Sequence, residues 1–262
     1  MKYYFVFFCL VIVSIVAAQP LKYTVANTHS HNDYEQNIPF WAAYNAGFGS
    51  IEVDIFLENG GLYVAHDTIG LKAHRTLEQY YIRPLVTLVE KNQGVVFADS
   101  SRQLQLLIDI KTDSVKTLAT LIKLLQKYPS LINNRSIKFV ITGNRPAEYT
   151  FTTYPSFIQF DGVLSKSYSK EALSKISMLS DNLRNYTNWK GEGMIPRQEM
   201  NLLKQAVDKA HQFQKPVRFW GGPDFMNAWQ QFMQLQVDYI NTDRIDALAS
   251  FIKNMDKKSS TE

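Results

Sequence analysis

A single cysteine, Cys9, occurs in 262 residues, so no intrachain disulfide can form and stability must come from a packed core. Charge of one sign is also scarce. Lys and Arg number 28 against 24 Asp and Glu, a net charge of +4, and no dense Lys/Arg stripe occurs. That balance excludes a strongly basic surface for nucleic acid. No low-complexity stretch or Pro/Gly-rich linker divides the chain, and no glycine-rich fingerprint follows its first strand-like segment, which argues against dinucleotide binding. Its apolar run, Tyr3 to Val16, falls short of the roughly 20 residues that a membrane helix needs.

That run instead has the order of a secretory leader. Met1-Lys2 supplies a minimal basic start, and Val16-Ala17-Ala18 places small residues before Gln19. Residues 1–18 are therefore expected to be a signal peptide, with the mature chain secreted or periplasmic and without a stable membrane span. Taking 18 residues from 262 leaves 244, close to the roughly 250 typical of an eight-fold β/α barrel. The expected domain runs over 19–255, followed by a polar tail at 256–262, and the chain is expected to act as a monomer.

Strand-like runs alternate with amphipathic helix-like runs throughout. Strands are predicted at 22–29, 49–56, 104–111, 136–143, 160–165, 186–190, 215–221 and 237–243. Helices are predicted at 39–46, 113–127, 170–180, 198–212, 225–234 and 245–254. Strand–helix repetition points to parallel βαβ units, and eight strands in this length favour a single α/β, (β/α)8 TIM-type barrel. In such a barrel functional residues gather at the carboxyl ends of the strands. The polar residues fall there: His29 and His31, Glu52 and Asp54, Asp109 and Lys111, Arg218 and Trp220, Asn241 and Asp243.

Alternate residues of a strand share a face about 7 Å apart. "IEVDI" therefore sends Ile51, Val53 and Ile55 to the helices and Glu52 and Asp54 into the barrel. Two inward carboxylates repel unless a cation or proton joins them, and Asp109 on a neighbouring strand adds a third oxygen donor. Three carboxylates without a cysteine suit one hard divalent cation, Mg2+ or Ca2+. His31 and His66 would face each other across it as acid and base, since imidazole titrates near neutrality. Lys111 and Asn32 are expected to contact phosphoryl oxygens and Trp220 to wall the substrate pocket. His29 reads as an orienting or structural group, Asp33 and Asp67 as groups that orient the histidines, Asp243 as lining the pocket or, the favoured reading, capping the last helix, and His74 and His211 as surface residues.

With "HSHNDY", "IEVDI", "GGLYVAHD", "LLIDIKTD", "FVITGNRP" and "VDYINTDR" in view, the chain resembles the phospholipase C-like phosphodiesterase superfamily. Glycerophosphodiester phosphodiesterases are its best-known barrel members, and the branch related to altered inheritance of mitochondria protein 6 is the closer match. The resemblance spans about residues 24–253. It implies a phosphodiester substrate, a small molecule or a lipid, and metal-dependent hydrolysis of a glycerophosphodiester or phospholipid headgroup. In that scheme His31 and His66 are the acid–base pair and Glu52, Asp54 and Asp109 the metal ligands. A hydroxyl of the substrate can attack phosphorus to give a cyclic intermediate that water opens. The chain departs from glycerophosphodiesterases in having Asn32-Asp33 where they have Arg-Gly, Asp109 where they have glutamate, and "YEQNIPF" for Pro-Glu-Asn-Thr. Two rivals share the barrel: a non-catalytic secreted binding protein and a sphingomyelinase D-like lyase. A metal-dependent amidohydrolase is disfavoured because residues 142–210 contain no histidine.

Overall fold

The computed structural model describes residues 22–259, with side chains described to residue 255; the expected leader lies outside this span. In chain order the elements are β1 (Thr28–Ser30), α1 (Trp41–Ala46), β2 (Ser50–Glu58), β3 (Gly61–Val64), α2 (Arg83–Lys91), β4 (Leu104–Ile110), α3 (Ser114–Leu125), α4 (Pro129–Ile132) and β5 (Ile137–Gly143). They continue with β6 (Ile158–Val163), α5 (Lys170–Lys175), β7 (Ile176–Asn182), α6 (Arg197–Gln212), β8 (Val217–Trp220), α7 (Met226–Gln234), β9 (Ile240–Thr242) and α8 (Ile245–Ser259).

Strands pair in the order β8-β7-β6-β5-β4-β2-β1-β9, all parallel, and β3 hangs from β2 as an antiparallel hairpin. The two ends of the sheet meet through one bridge, Arg218 to Tyr239, where the N–H groups of Asp238 and Tyr239 donate to Val217 O at 3.1 and 3.0 Å. The result is the expected eight-stranded barrel, nearly closed.

The period-2 pattern sorts side chains as expected. Ile51, Val53, Ile55, Leu106, Ile108, Phe139 and Ile141 join the helix-facing core, where they meet Leu118, Leu121 and Leu125 of α3. The interior holds a small separate apolar layer of Leu107, Val140 and Met178, with Tyr239 against it. That layer fills the barrel and leaves the polar residues above it at the carboxyl ends of the strands. Local signals start the helices: Asp113 Oδ1 accepts from Lys116 N at 2.8 Å to cap α3, and Ser169 Oγ accepts from Ala172 N at 3.2 Å to cap α5.

Several sequence boundaries move. The first strand shrinks from 22–29 to Thr28–Ser30, because Thr24 caps a short 3-10 turn over Val25–Asn27. The predicted helix 170–180 stops at Lys175 and becomes β7; its short apolar run is equally compatible with a buried strand. The sixth strand is therefore β7, and 186–190 is a connection to α6. Residues 78–91, unassigned from sequence, form a π-helical turn running into α2. Helix α8 continues to Ser259. His211, expected at the surface, is partly buried, its side chain 6% exposed with Nε2 2.8 Å from Asp238 Oδ2; the same oxygen accepts from Val217 N at 2.8 Å, tying α6 to the closing seam. His74 is exposed as expected.

Candidate active site

A cavity of about 420 Å³ opens at the carboxyl ends of the strands, and His31, Asn32, Glu52, His66, Asp109, Lys111 and Trp220 all contribute to its wall. Asp54 completes the predicted set beneath it. Oxygens of Glu52, Asp54 and Asp109 lie within 4.8 Å of one another. The register explains this: Asp54 pairs directly with Asp109 across β2 and β4, and Glu52 lies two residues earlier on the same face of β2.

The cluster is unevenly neutralised. Lys111 Nζ reaches Asp54 Oδ2 at 3.0 Å and Asp109 Oδ2 at 2.9 Å, clamping one oxygen of each. Their Oδ1 atoms are buried and find no hydrogen-bond partner among the described residues. Burial, then the charge of Asp109, pushes the Asp54 carboxyl up to about 6, and burial also raises Asp109 against the pull of Lys111. Two buried oxygens left unpaired, on carboxyls resisting ionisation, fit a site for a hard cation.

Glu52 behaves differently. Burial opposes its charge, but the Arg218 guanidinium and the His29 ring outweigh it and hold the carboxyl well below the usual range. Arg218 Nη1 donates to Glu52 Oε2 at 2.5 Å and to Asn241 Oδ1 at 3.2 Å. His29 is fully buried, and burial followed by the Arg218 charge lowers it to about 3, so the ring is neutral. Its Nε2 lies 2.8 Å from Glu52 Oε2 and its Nδ1 2.8 Å from Ser50 Oγ. Gln105 Nε2 donates to that hydroxyl at 3.0 Å. Gln105, Ser50 and His29 thus form one hydrogen-bonded line behind Glu52, Arg218 Nη1 also lies 2.5 Å from His29 Nε2, and Oε1 of Glu52 remains on the cavity side, 4.0 Å from His31 Nε2.

The two candidate acid–base residues are held in different ways. His31 follows β1, with its N–H donating to Thr242 O at 3.0 Å, and its Nδ1 lies 2.7 Å from Asp243 Oδ1. Burial favours the neutral ring, yet the Asp243 hydrogen bond and the charge of Glu52 prevail and raise His31 above its ordinary value. Asp243 is itself fixed by Asp224, whose Oδ2 accepts from Asp243 N at 2.9 Å. Asp243 therefore orients a histidine; the cap expected of it is absent, since Arg244 N bonds Thr242 Oγ1 and α8 begins one residue later. His66 follows β3, with Nδ1 3.0 Å from Tyr34 OH and 3.8 Å from Asp54 Oδ2. Tyr34 OH also lies 2.7 Å from Asp54 Oδ2 and 2.9 Å from Asn32 Oδ1, so one phenol links histidine, carboxylate and amide.

Asp33 and Asp67 do not orient the histidines. Asp33 is buried and accepts from Ser30 Oγ at 2.9 Å, Tyr81 OH at 2.9 Å and Phe40 N at 2.5 Å, so it fixes the loop after β1. Asp67 accepts from the N–H groups of Ile69 and Gly70, both at 2.9 Å, and shapes a turn. Trp220 is 40% exposed at the cavity mouth. Sequence reasoning noted Arg218 at its strand end without a role, and it passed over Tyr34, Asp161 and Arg145. Tyr34 lay within the quoted "HSHNDY", and Asp161 within a strand correctly placed.

Gly143 makes room for the triad. Its φ is +69°, and a β-carbon there would collide with Asp109 Oδ1 and approach Ile110 O to 2.7 Å. Gly60 has φ +79° with nothing within 4 Å, so it isolates the backbone cost. Gly60→Ala is expected to lose about 1–2 kcal/mol and Gly143→Ala about 1–3 kcal/mol more, measured by urea denaturation. Equal losses would show that Asp109 is not crowded.

A model of the AIM6-like phosphodiesterase domain matches residues 22–153, and one of the glycerophosphoryl diester phosphodiesterase family matches residues 216–246. Altered inheritance of mitochondria protein 6 of Kluyveromyces lactis is 28% identical, covering 87% of this chain and 72% of the relative. Its counterpart in Eremothecium gossypii is 27% identical over 87% and 69%. Among solved structures, a glycerophosphodiester phosphodiesterase from Parabacteroides distasonis superimposes with a TM-score of 0.58 at 12% identity, covering 87% of this chain and 97% of the other, a likeness of fold.

Proposed function

This chain belongs to the AIM6-like phosphodiesterase family, and from that premise we propose that it hydrolyses a phosphodiester, a glycerophosphodiester or a phospholipid headgroup, with one divalent cation. The observation that carries this reading is the pair of buried, unpaired oxygens on Asp54 and Asp109, which cluster with Glu52 at a cavity lined by Glu52, Asp109 and two histidines. Glu52, Asp54 and Asp109 would hold the cation, and an all-oxygen donor set favours Mg2+ or Ca2+. Such an ion, when bound, stabilises negative charge on phosphoryl oxygens.

The chain's own residues supply the rest. Lys111 and Asn32 orient the phosphoryl group, and Trp220 forms a wall at the mouth. Of His31 and His66, one takes the proton of the attacking hydroxyl or water and the other gives a proton to the leaving oxygen. The leader expected at 1–18 would deliver this activity to the periplasm or the outside of the cell. Among the described residues no helix is long and apolar enough to cross a membrane.

The test is turnover of bis(p-nitrophenyl) phosphate with EDTA, Mg2+ or Ca2+, beside Glu52→Ala. The expected result is hydrolysis only with a cation, falling by at least about 100-fold in the variant. Equal rates with EDTA and with cations, or a fully active Glu52→Ala, would overturn the reading.

A further inference from the structure

The two histidines of the cavity are held unequally. The His31 side chain is 27% exposed and has Asp243 beside its Nδ1. The His66 side chain is 61% exposed and follows the four-residue strand β3. Among the described residues its ring makes one hydrogen bond, between Nδ1 and Tyr34 OH at 3.0 Å. The two rings also stack, with centroids 6.5 Å apart and planes at 25°. Tyr34 itself is fixed: it is 1% exposed, and its main-chain oxygen accepts from Arg75 Nη1 at 2.9 Å. Its neighbour Asp33 anchors the same loop through Ser30, Phe40 and Tyr81. An exposed imidazole thus leans on a buried phenol.

The phenol has one proton, and three groups lie within its reach: Asp54 Oδ2 at 2.7 Å, Asn32 Oδ1 at 2.9 Å and His66 Nδ1 at 3.0 Å. Asp54 must receive it. Its Oδ2 faces the Lys111 ammonium at 3.0 Å, a group that only donates, so that oxygen is already an acceptor. With the phenol proton turned elsewhere, two oxygen lone pairs would meet at 2.7 Å. The Asn32 amide can answer with a half-turn that presents its NH2. Toward His66 the phenol oxygen can then only accept. Nδ1 therefore carries the hydrogen, and on a neutral ring Nε2 is left bare.

We infer that Tyr34 is the positioning residue of His66: its phenol, pinned by Asp54, holds the ring through Nδ1–H and so reserves Nε2 for the proton exchanged with the substrate. The inference rests on the phosphodiesterase reading for that exchange, whereas the tautomer follows from the hydrogen-bond geometry. It also links the two halves of the site. Tyr34 and Lys111 both occupy Oδ2 of Asp54, which leaves the unpaired Oδ1 for a cation. One phenol thus sets both the imidazole and the carboxylate beside it.

The first measurement is long-range 1H–15N spectroscopy of the full chain at about pH 8.5, above the ordinary imidazole range, with the His66 signals assigned by their absence in His66→Gln. The unaltered chain is expected to carry the hydrogen on Nδ1, and Tyr34→Phe to shift the ring toward the Nε2–H form. The second is turnover of bis(p-nitrophenyl) phosphate with a saturating cation. Tyr34→Phe should lower kcat by about 10- to 100-fold, with KM changed by less than about threefold. Tyr81→Phe removes another buried phenol from the same loop without touching His66, and should move neither tautomer nor kcat. Equal effects in the two variants would assign them to loosening of the loop and overturn the inference. Hydrogen on Nε2 in the unaltered chain, a tautomer that Tyr34→Phe leaves in place, or a shifted tautomer with unchanged kcat would overturn it as well. A chain that turns over no diester removes the catalytic reading, and the spectra alone then uphold or overturn the hold of Tyr34 on His66.

Discussion

Arg218→Ala is expected to remove about 3–5 kcal/mol of folding stability. Arg218 and Glu52 are 3% and 4% exposed, and their contact at 2.5 Å lies inside the barrel. Truncating the cation strands a buried carboxylate, with only the neutral His29 ring still donating to Oε2. The pH dependence follows in sign. In the intact chain Glu52 is depressed, so its contribution is present above the unfolded carboxylate range and fades as pH falls. In Arg218→Ala burial acts without its main counterweight, the carboxyl rises above its unfolded value, and the deficit shrinks on acidification. Urea denaturation at two pH values reads both effects. A cation bound to the triad would replace part of the missing charge, so Mg2+ should narrow the deficit. Placing Arg218→Ala in a Glu52→Gln background should cost much less, because no charge is then stranded. A loss that is the same in both backgrounds would assign the effect to packing around Arg218.

The same pair shows where sequence reasoning reaches and where it stops. Glu52 and Asp54 were legible because a strand has period 2 and inward carboxylates on a barrel strand demand an explanation; the register with Asp109 then followed from adjacent parallel strands. The partner of Glu52 was not legible. Arg218 lies 166 positions away and meets it only because β8 closes onto β9, and β9 pairs with β1, bringing the far end of the chain across the barrel. Asp243 was misread for a related reason. "NTDR" before an apolar run has the local form of a helix cap, and only the pairing of β1 with β9 sets that carboxylate against His31. The β7 error was local instead: a capped turn of helix followed by apolar residues carries no periodic mark of the switch to strand. Asp161 was placed in its strand, but the lack of a partner for one of its oxygens is a property of packing.

His31→Asn is expected to lower phosphodiester turnover by about 100- to 10,000-fold, the range for loss of a positioned acid–base group. Asparagine keeps a polar side chain beside Asp243 but can carry no proton through the reaction, so the fold should tolerate it and the melting temperature should move little. Asp243→Asn asks a finer question. Asp243 holds His31 through Nδ1 and directs Nε2 toward Glu52 and the cavity. Its side chain is 58% exposed, so solvent weakens its charge and most of its effect is orientation. A loss of about 10-fold to 100-fold is expected, by analogy with other groups that orient a functional histidine. The sign of the pH effect is fixed by what remains. Burial lowers His31, and without the Asp243 hydrogen bond and charge only Glu52 opposes it. The limb of the kcat/KM profile set by His31 should therefore move to lower pH in Asp243→Asn, and 1H–15N spectra of the imidazole should show the same displacement. A large drop in turnover with an unmoved limb would mean that Asp243 positions the ring without tuning it. An unmoved limb with full activity would reduce the contact to an exposed pair and leave His31 to be held by the β1–β9 backbone alone.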